Sequence, residues 1–381
     1  MKIKNIKLKN YRNYDALDIS FNDNLNIIIG ENAQGKTNLL ESIYVLAVTK
    51  SFLSASDRNL IKFNSKFSFI NGLVEKKDCL TNLEILVNDN GKVVKINGKE
   101  IKKLSEYISR VNVIVFSAES IRMLKESPTS RRKYFNIQIS QINRNYIKKL
   151  SDYNNILRQR NEYLKIINGN KKSDQEYLDI LNTKYAELSV DVYEYRKNYI
   201  LEINKYLDRI FKSIVGDELH LKLNYSCNFI SGEKEYSLKD NLLWKLKDNF
   251  TKELSYKMTL FGPNRDDFYF TLEDKNLSLF GSQGQMRSAI LALKLAEVLL
   301  FNTKIGETPV LLLDDVFSEL DINKRNNILK YLDKKVQTIL TTTDIENISE
   351  ERRKNANVYV IKNGKIISRE IIFKQEGDVN E

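Results

Sequence analysis

The chain has 381 residues, of which 42% are hydrophobic and 29% charged, and its formal net charge is +11 at pH 7. That length is enough for two domains, or for one large domain with an insertion. The two cysteines exclude a disulfide framework and a cysteine metal cluster, and no apolar run approaches the about 18 residues of a membrane helix.

The N-terminal segment alternates charged and apolar residues from Met1 to Leu8. This pattern predicts a strand and differs from a signal peptide, so we expect a cytoplasmic protein with no membrane partner. Arg12 follows this segment. It either contacts a phosphate group or is an ordinary solvated arginine.

A complete phosphate-loop motif, Gly-x-x-x-x-Gly-Lys-Thr, occupies residues 30–37. An apolar run precedes it and apolar residues at helical spacing follow it, which is the strand–loop–helix context that the motif requires. Lys36 is expected to reach the β- and γ-phosphates of ATP, and Thr37 to offer its hydroxyl to Mg²⁺. The predicted nucleotide-binding residues are Gly30, Glu31, Asn32, Ala33, Gln34, Gly35, Lys36, Thr37 and Arg12.

Residues up to about 120 are predicted to form mainly strands, with one helix after the phosphate loop. Three dipeptides favour tight turns, because Asn and Gly both accept positive φ: Asn71-Gly72, Asn90-Gly91 and Asn97-Gly98. Residues 81–87 and 92–96 are predicted to pair as one hairpin, and residues 111–116 to form another strand.

Residues 129–215 show apolar side chains spaced by three or four, interrupted by polar sequence at residues 168–172. The spacing predicts two long amphipathic helices in an antiparallel hairpin, with their tyrosines in the core. Residues 122–212 carry 19 Lys/Arg against 11 Asp/Glu. A basic helical segment without base-reading motifs suits contact with DNA phosphates, although solvated faces explain most such lysines.

The C-terminal part returns to strands and helices, with strands at 218–229 and 267–272, a helix at 288–301, strands at 309–313 and 336–340, and a hairpin at 358–361 and 365–367. The predicted fold is α/β, a phosphate-loop ATPase head of mixed sheets and helices with an inserted helical-hairpin domain. We expect the head at 1–120 and 217–381 and the insertion at 121–216.

Asp314 and Asp315 end a predicted buried strand, the Walker B position of a phosphate-loop enzyme. Asp314 is expected to hold Mg²⁺ together with Thr37, and Asp315 to orient the attacking water. Ser282 precedes an apolar helix, which it either caps or, with Gly284, equips to bind an anion. The predicted catalytic residues are Lys36, Asp314, Asp315 and Ser282.

These elements follow the order of ABC-type ATPases, with a signature at 282–287, a D-loop at 318–321 and a switch segment at 341–344. Together with residues 10–14, Pro128, Arg131, Arg132 and residues 262–267, they make the chain resemble the RecF family of bacterial recombination mediators, which are ABC-type ATPases related to the SMC proteins. The resemblance covers nearly the whole chain. Asn264 stands where the family usually has histidine, the switch position holds threonine instead of the histidine of transporter ATPases, and Asp315 is shorter than the usual glutamate.

The resemblance implies ATP and Mg²⁺ as cofactors and a slow, DNA-stimulated ATPase of recombinational repair and replication. It implies an ATP-dependent homodimer in which Ser282 of one copy completes the nucleotide site of the other, a clamp on double-stranded DNA beside single-stranded gaps. It also implies RecR as a partner and, indirectly, help in loading RecA.

Three alternatives share these motifs: an SMC-like chromosome or break-repair ATPase, the ATPase subunit of an ABC transporter, and a module that binds ATP without significant turnover. An SMC protein needs hundreds of residues of coiled coil, whereas the hairpin predicted here has about 85 residues. The helical hairpin and the missing switch histidine disfavour the transporter.

Overall fold

A computed structural model describes residues 1–167, 175–216, 218–230, 237–316, 336–345, 348, 353–354 and 356–371. The chain divides into two compact units. Unit 1 contains Met1–Arg122, Arg209–Glu218 and Arg287–Glu381, and unit 2 contains Met123–Asp208 and Leu219–Met286. The predicted boundary at residue 216 is therefore wrong for residues 219–286. These residues pack with the helical segment, as the ion pairs Arg131–Asp267 and Arg160–Glu253 illustrate.

The first sheet of unit 1 is antiparallel, with strand order β2-β1-β4-β5-β6-β7. Its strands are β1 Lys2–Tyr11, β2 Tyr14–Ser20, β4 Phe67–Lys76, β5 Cys79–Asn88, β6 Gly91–Ile96 and β7 Lys99–Glu100. The predicted β5–β6 pairing and the turns at Asn90-Gly91 and Asn97-Gly98 are confirmed. The predicted turn at Asn71-Gly72 is wrong, because these residues lie inside β4 and pair with Glu84 and Leu83.

Gly72 has a packing role instead of a turn role. A Cβ atom at this position would lie 2.2 Å from Cδ2 of Leu46. Leu46 belongs to α1 (Lys36–Val48), a helix that is buried over most of its length. The glycine therefore lets this helix approach the sheet closely.

The second sheet of unit 1 has the strand order β15-β14-β3-β13-β12-β8. Its strands are β3 Leu25–Ile29, β8 Val113–Ser117, β12 Val310–Asp314, β13 Thr338–Thr342, β14 Ala356–Lys362 and β15 Lys365–Ile371. All neighbours are parallel except β14 and β15, which form the predicted final hairpin. Parallel strands end at one edge of a sheet, so the segments that follow β3, β12 and β13 meet there.

The other helices in the described part of unit 1 are short, apart from one. They are α2 Leu104–Tyr107, the 3₁₀ turns Asp57–Leu60 and Ala118–Ile121, and α10 Gln283–Ile305, whose residues from Arg287 onward belong to this unit. α10 begins five residues before the predicted helix because Ser282 caps it, as described below.

Unit 2 contains most of the helices that the structure describes and a three-stranded antiparallel sheet of order β11-β10-β9. Its elements are α3 Arg122–Lys125, α4 Pro128–Ile142, α5 Arg144–Ile167, α6 Gln175–Val215, α7 Leu238–Asp248, α8 Phe250–Tyr256, α9 Leu277–Phe280, β9 Leu221–Ser226, β10 Asp267–Leu272 and β11 Lys275–Asn276. The residues of α6 from Arg209 onward belong to unit 1. None of the helices in the described part of the chain is both long and apolar enough to span a membrane.

The first predicted long helix is two helices, α4 and α5, separated at Asn143. Asn143 has extended backbone angles (φ −130°, ψ 107°), and its Oδ1 accepts a hydrogen bond from the Asn145 backbone N–H at 3.0 Å. An asparagine that caps the next helix explains why the periodic pattern did not reveal the break. The predicted burial of the tyrosines is confirmed for Tyr146, Tyr153 and Tyr185. The predicted polar turn at 168–172 lies outside the described residues.

Candidate nucleotide-binding site

The phosphate loop joins β3 to α1 at the edge where β12 and β13 also end. Ala33 (φ 63°) and Gly35 (φ 110°) have left-handed backbone angles, which curl the loop ahead of the helix. At Gly30, a Cβ atom would lie 2.5 Å from the backbone oxygen of Ile361 in β14. Only glycine therefore allows the loop to start this close to the neighbouring strand.

The turn between β1 and β2 holds the loop through two side chains. Asn13 Nδ2 donates to the Gln34 carbonyl at 3.2 Å, and the Tyr14 hydroxyl donates to the Gly35 carbonyl at 2.9 Å. A Cβ atom at Gly35 would lie 2.5 Å from Asn13 Nδ2. The second glycine of the motif is thus required by this contact as well as by its backbone angle.

The β14–β15 turn holds the same loop from another side. The Gly364 backbone N–H donates to the Gln34 carbonyl at 3.1 Å, and the Asn363 N–H donates to Gln34 Oε1 at 2.6 Å. Gln34, a variable position of the motif, is therefore fixed by its neighbours. A loop that is held before a ligand binds loses little entropy on binding.

Lys36 is held at the mouth of the loop. Its ammonium donates to the carbonyls of Gly30 at 2.5 Å and Glu31 at 2.9 Å. Burial lowers the pKa of Lys36, and the nearby carboxylates of Asp315 and Asp314 oppose that shift. The cation and the two acids therefore share one small region of unit 1.

Asp314 is the centre of a hydroxyl cluster at the end of β12. Its Oδ1 accepts from Thr341 Oγ1 at 2.8 Å and from Thr37 Oγ1 at 2.9 Å. Burial raises the pKa of Asp314, and these two hydrogen bonds oppose that shift. A carboxylate beside a hydroxyl is a hard oxygen donor set of the kind that Mg²⁺ uses next to nucleotide phosphates. The residues therefore fit Mg²⁺.

Asp315 has a strained backbone. Its φ of 52° is uncommon for a residue other than glycine, and its N–H donates to Thr341 Oγ1 at 3.0 Å. Such strain is common where a side chain is held for function. Its predicted role in orienting water stays a prediction.

Ser282 lies in unit 2, at the start of α10, whereas Lys36, Thr37, Asp314 and Asp315 come together in unit 1. The Gln285 N–H donates to Ser282 Oγ at 3.2 Å, and the Ser282 N–H donates to Gln285 Oε1 at 2.9 Å. This reciprocal pair is a capping box, so the capping role is confirmed. Ser282 and the two residues after it are exposed, and their contact with an anion stays a prediction.

The predicted switch segment forms a turn in the structure. The Thr342 hydroxyl accepts from the Asp344 N–H at 3.2 Å and donates to the Asp344 carbonyl at 2.9 Å, which closes a tight turn after β13. The predicted D-loop at 318–321 lies outside the described residues.

Arg12 is bound to Glu41 of α1 and is not a freely solvated arginine. Its Nε donates to Glu41 Oε2 at 2.8 Å and its Nη2 to Glu41 Oε1 at 2.5 Å. The Arg12 side chain is 19% exposed, and its hydrogen bonds to Glu41 raise its pKa. Contact between Arg12 and a nucleotide phosphate stays a prediction.

Three features of this site escaped the sequence reasoning. The bond from Thr341 to Asp314, the contacts of Asn13 and Tyr14 to the loop, and the buried carboxylate of Glu41 all join segments distant in sequence. Asn13, Tyr14 and Thr341 lie in segments that the resemblance singled out, but those motifs do not reveal these contacts. Glu41 is marked only as the one acidic residue between Leu39 and Val48.

Residues 262–267 act inside unit 2. Asn264 Oδ1 accepts from the hydroxyls of Tyr185 at 3.0 Å and Tyr153 at 3.2 Å, so the amide takes a structural role on α5 and α6. Gly262 has a φ of 114°, and a Cβ atom there would lie 2.1 Å from the Tyr185 hydroxyl. This motif therefore holds the helices of unit 2 together.

Arg131 and Arg132 also bond within unit 2. Arg131 donates to both carboxylate oxygens of Asp267 at 2.7 Å, and its side chain is 12% exposed. Arg132 Nη1 donates to the Asp266 carbonyl at 2.6 Å. Both arginines therefore bond to neighbouring residues of the same unit, Asp266 and Asp267.

A family model and a curated protein both match nearly the whole chain. Residues 2–367 match the model of the RecF/RecN/SMC N-terminal domain family. A curated protein of Staphylococcus aureus (strain JH9), named DNA replication and repair protein RecF, is 39% identical over 369 residues, which are 96% of this chain and 100% of that protein.

Solved structures agree in fold. The structure described as the recombination mediator protein RecF-ATP in the RecFOR pathway is 33% identical, covers 97% of each chain and has a TM-score of 0.89. The Smc head bound to the C-terminal winged-helix domain of ScpA covers 96% of this chain and 97% of that chain at 15% identity, with a TM-score of 0.54, which is a likeness of fold alone. The chain thus has the α/β fold of these structures.

Proposed function

This chain belongs to the RecF family of DNA replication and repair proteins, and from that premise we propose that it is an ATP-dependent DNA-binding protein of recombinational repair and replication. One observation carries the proposal. Lys36, Thr37 and Asp314 converge at one edge of the parallel sheet, with the Thr37 hydroxyl 2.9 Å from the Asp314 carboxylate. This is the arrangement that nucleotide phosphates and Mg²⁺ require.

The proposed ligand is ATP with Mg²⁺. Residues 30–37 surround the phosphates with backbone N–H groups, and Lys36 exchanges its carbonyl partners for phosphate oxygens. Thr37 and Asp314 would hold Mg²⁺, which neutralises charge on the β- and γ-phosphates. Asp315 orients the attacking water, and Arg12 contacts the nucleotide from the β1–β2 turn. The related RecF-ATP structure supports this choice of nucleotide.

The proposed catalytic unit is a homodimer. Ser282 to Gly284 are exposed at the start of α10, where backbone N–H groups and the helix dipole favour an anion. Ser282 of a second copy would complete the γ-phosphate shell, so that two ATP molecules bridge two copies. Slow hydrolysis, stimulated by DNA, then acts as a timer that opens the dimer.

DNA is the proposed macromolecular substrate, in the form of duplex next to a single-stranded gap. The basic residues of the segment 122–212 supply contacts to phosphates that do not depend on sequence. RecR as a direct partner and RecA as an indirect one follow from family membership and from the RecFOR pathway given for the structural relative.

Sedimentation of the protein with a fluorescent gapped duplex, with and without ATP, tests this function. The proposal predicts that ATP moves the protein from monomer to dimer and strengthens its binding to DNA, and that DNA in turn favours the dimer, as linkage requires. DNA binding that is equal with and without ATP would contradict the ATP-driven clamp.

A further inference from the structure

Glu41 is a fully buried carboxylate on the helix that follows the phosphate loop. Its side chain is 0% exposed, and it lies five residues after Lys36. It accepts hydrogen bonds from the Tyr11 hydroxyl at 2.8 Å, from Arg12 Nε and Nη2, and from the Ser51 hydroxyl at 2.5 Å. Charge-assisted hydrogen bonds of this kind are stronger than neutral ones.

The residues that Glu41 holds are directly followed by those that hold the phosphate loop. Tyr11 and Arg12 bond to Glu41, and Asn13 and Tyr14 donate to loop carbonyls. The turn is tight, because Tyr11 pairs with Tyr14 across it and Arg12 has a left-handed φ of 50°. A shift at Tyr11 or Arg12 therefore moves Asn13 and Tyr14 as well.

The position of Asn13 leaves little tolerance for such a shift. Its Nδ2 donates to the Gln34 carbonyl at 3.2 Å, and its Oδ1 accepts from Asn38 Nδ2 at 2.9 Å. Its amide also lies against Gly35, where there is no room for a Cβ atom. Hydrogen bonds weaken steeply when distance and angle change, so a small movement of the turn alters the loop.

We propose that Glu41 is a positioning residue for the nucleotide site: its buried carboxylate anchors the β1–β2 turn, which sets the conformation of the phosphate loop. This inference rests on the proposed binding of ATP at residues 30–37. Glu41 would thus contribute to nucleotide binding without touching phosphate or metal. The β1–β2 turn would position the phosphate loop whether or not Arg12 also contacts the nucleotide.

Glu41→Gln tests the anchor. Glutamine has nearly the size of glutamate, but its NH₂ group donates hydrogen bonds. This group would face Tyr11 or Arg12, which are donors themselves, and would displace one of them. We expect ATP to bind about tenfold more weakly or worse by calorimetry, with the fold retained by circular dichroism. Glu297→Gln is the matched control, since Glu297 is also a fully buried glutamate of unit 1 and should leave ATP affinity within about twofold.

A double-mutant cycle separates positioning from a merely structural role. Tyr14→Phe removes only the hydroxyl that bonds to the Gly35 carbonyl. If Glu41 acts through the turn, the effects of Glu41→Gln and Tyr14→Phe on ATP affinity are not additive, because both act on the same contact. Additive effects would overturn the inference, as would ATP affinity within about twofold of wild type in Glu41→Gln.

Tyr11→Phe keeps the test decisive if Glu41→Gln does not fold. It removes one hydroxyl donor to Glu41 and should weaken ATP binding severalfold, again without additivity with Tyr14→Phe. Unchanged ATP affinity in that variant would overturn the inference. Wild-type protein that does not bind ATP would contradict the proposed function itself, which is a separate outcome.

Discussion

The Thr37 hydroxyl donates to Asp314 Oδ1 at 2.9 Å, although the two residues lie 277 positions apart in the sequence. The contact exists because β3 and β12 run parallel with β13 between them and end at the same edge. Thr341, at the end of that central strand, donates to the same oxygen. The cation site of the proposed mechanism is thus built by the sheet itself.

Asp314→Asn should raise stability without Mg²⁺ and abolish activity. Burial raises the carboxyl pKa in the folded state, so the ionised form destabilises the fold at neutral pH. That cost is absent below the usual pKa of an aspartate and complete above the raised pKa. We expect the Tm of metal-free protein to rise by about 1–4 °C at neutral pH, and the ATPase rate to fall about 100-fold or more.

Asp18→Asn serves as the control for that variant, because Asp18 is an exposed acid on β2 paired with Lys7. It should change neither the Tm nor the ATPase rate appreciably. An Asp314→Asn protein that hydrolyses ATP at the wild-type rate would contradict the assigned role in holding Mg²⁺.

Ser282→Arg should block ATP-dependent dimerisation while ATP still binds to the monomer. The exposed position of Ser282 at the start of α10 leaves room for arginine in the monomer but not against the phosphates of a second copy. The substitution also removes the cap, worth about 1 kcal/mol, and Ser282→Ala shows how much of the effect comes from loss of the hydroxyl alone. Gel filtration with ATP and a separate ATP titration give the two results; normal dimerisation of Ser282→Arg excludes the composite site.

The affinity for DNA should fall steeply with salt. Contacts between lysine or arginine and phosphate release counterions, so log K falls linearly with log salt concentration, by about 0.9 for each phosphate contact with duplex. Fluorescence anisotropy with two unrelated duplex sequences measures this slope. Equal, steep slopes are expected for both sequences, and a nearly flat dependence would rule out the electrostatic contribution of the segment 122–212.

Lys294 should make the stability of unit 1 depend measurably on pH. Burial lowers its pKa to about 8, a shift that the Glu297 charge opposes. Its charged form therefore costs stability below about pH 8, and this cost disappears as pH rises towards the unfolded value of 10.5. Urea unfolding of wild type and Lys294→Met between about pH 8 and 10.5 measures this effect. The free energy of unfolding of wild type should rise relative to that of the variant, and a difference that stays constant with pH would contradict the lowered pKa of Lys294.

Contiguous motifs made much of the candidate nucleotide site recognisable in the sequence. The phosphate loop and the strand ending in Asp314 each occupy a few neighbouring residues, and their side-chain roles follow from general phosphate chemistry. The contacts that hold the loop were not predictable, since Asn13 and Gly364 reach Gln34 from opposite ends of the chain. Local patterns carry no information about such pairing.

The errors in the predicted fold have the same origin. Asn71-Gly72 has the composition of a turn, but packing of Leu46 requires the glycine inside a strand. The strands after residue 217 resemble those of the head in composition, yet Asp267 pairs with Arg131 of α4 and so draws β10 into unit 2. Tertiary contacts overrode local pattern in both places.

The most direct test of the composite nucleotide site is sedimentation velocity of wild type and Lys36→Ala with ATP and Mg²⁺, at equal protein concentration. We expect wild type to shift from monomer to dimer with ATP, and Lys36→Ala to remain a monomer because its loop no longer holds the γ-phosphate. Lys66→Ala, at an exposed lysine of the same unit, should behave as wild type. A wild-type protein that stays monomeric with ATP, or a Lys36→Ala protein that dimerises equally well, would contradict the account.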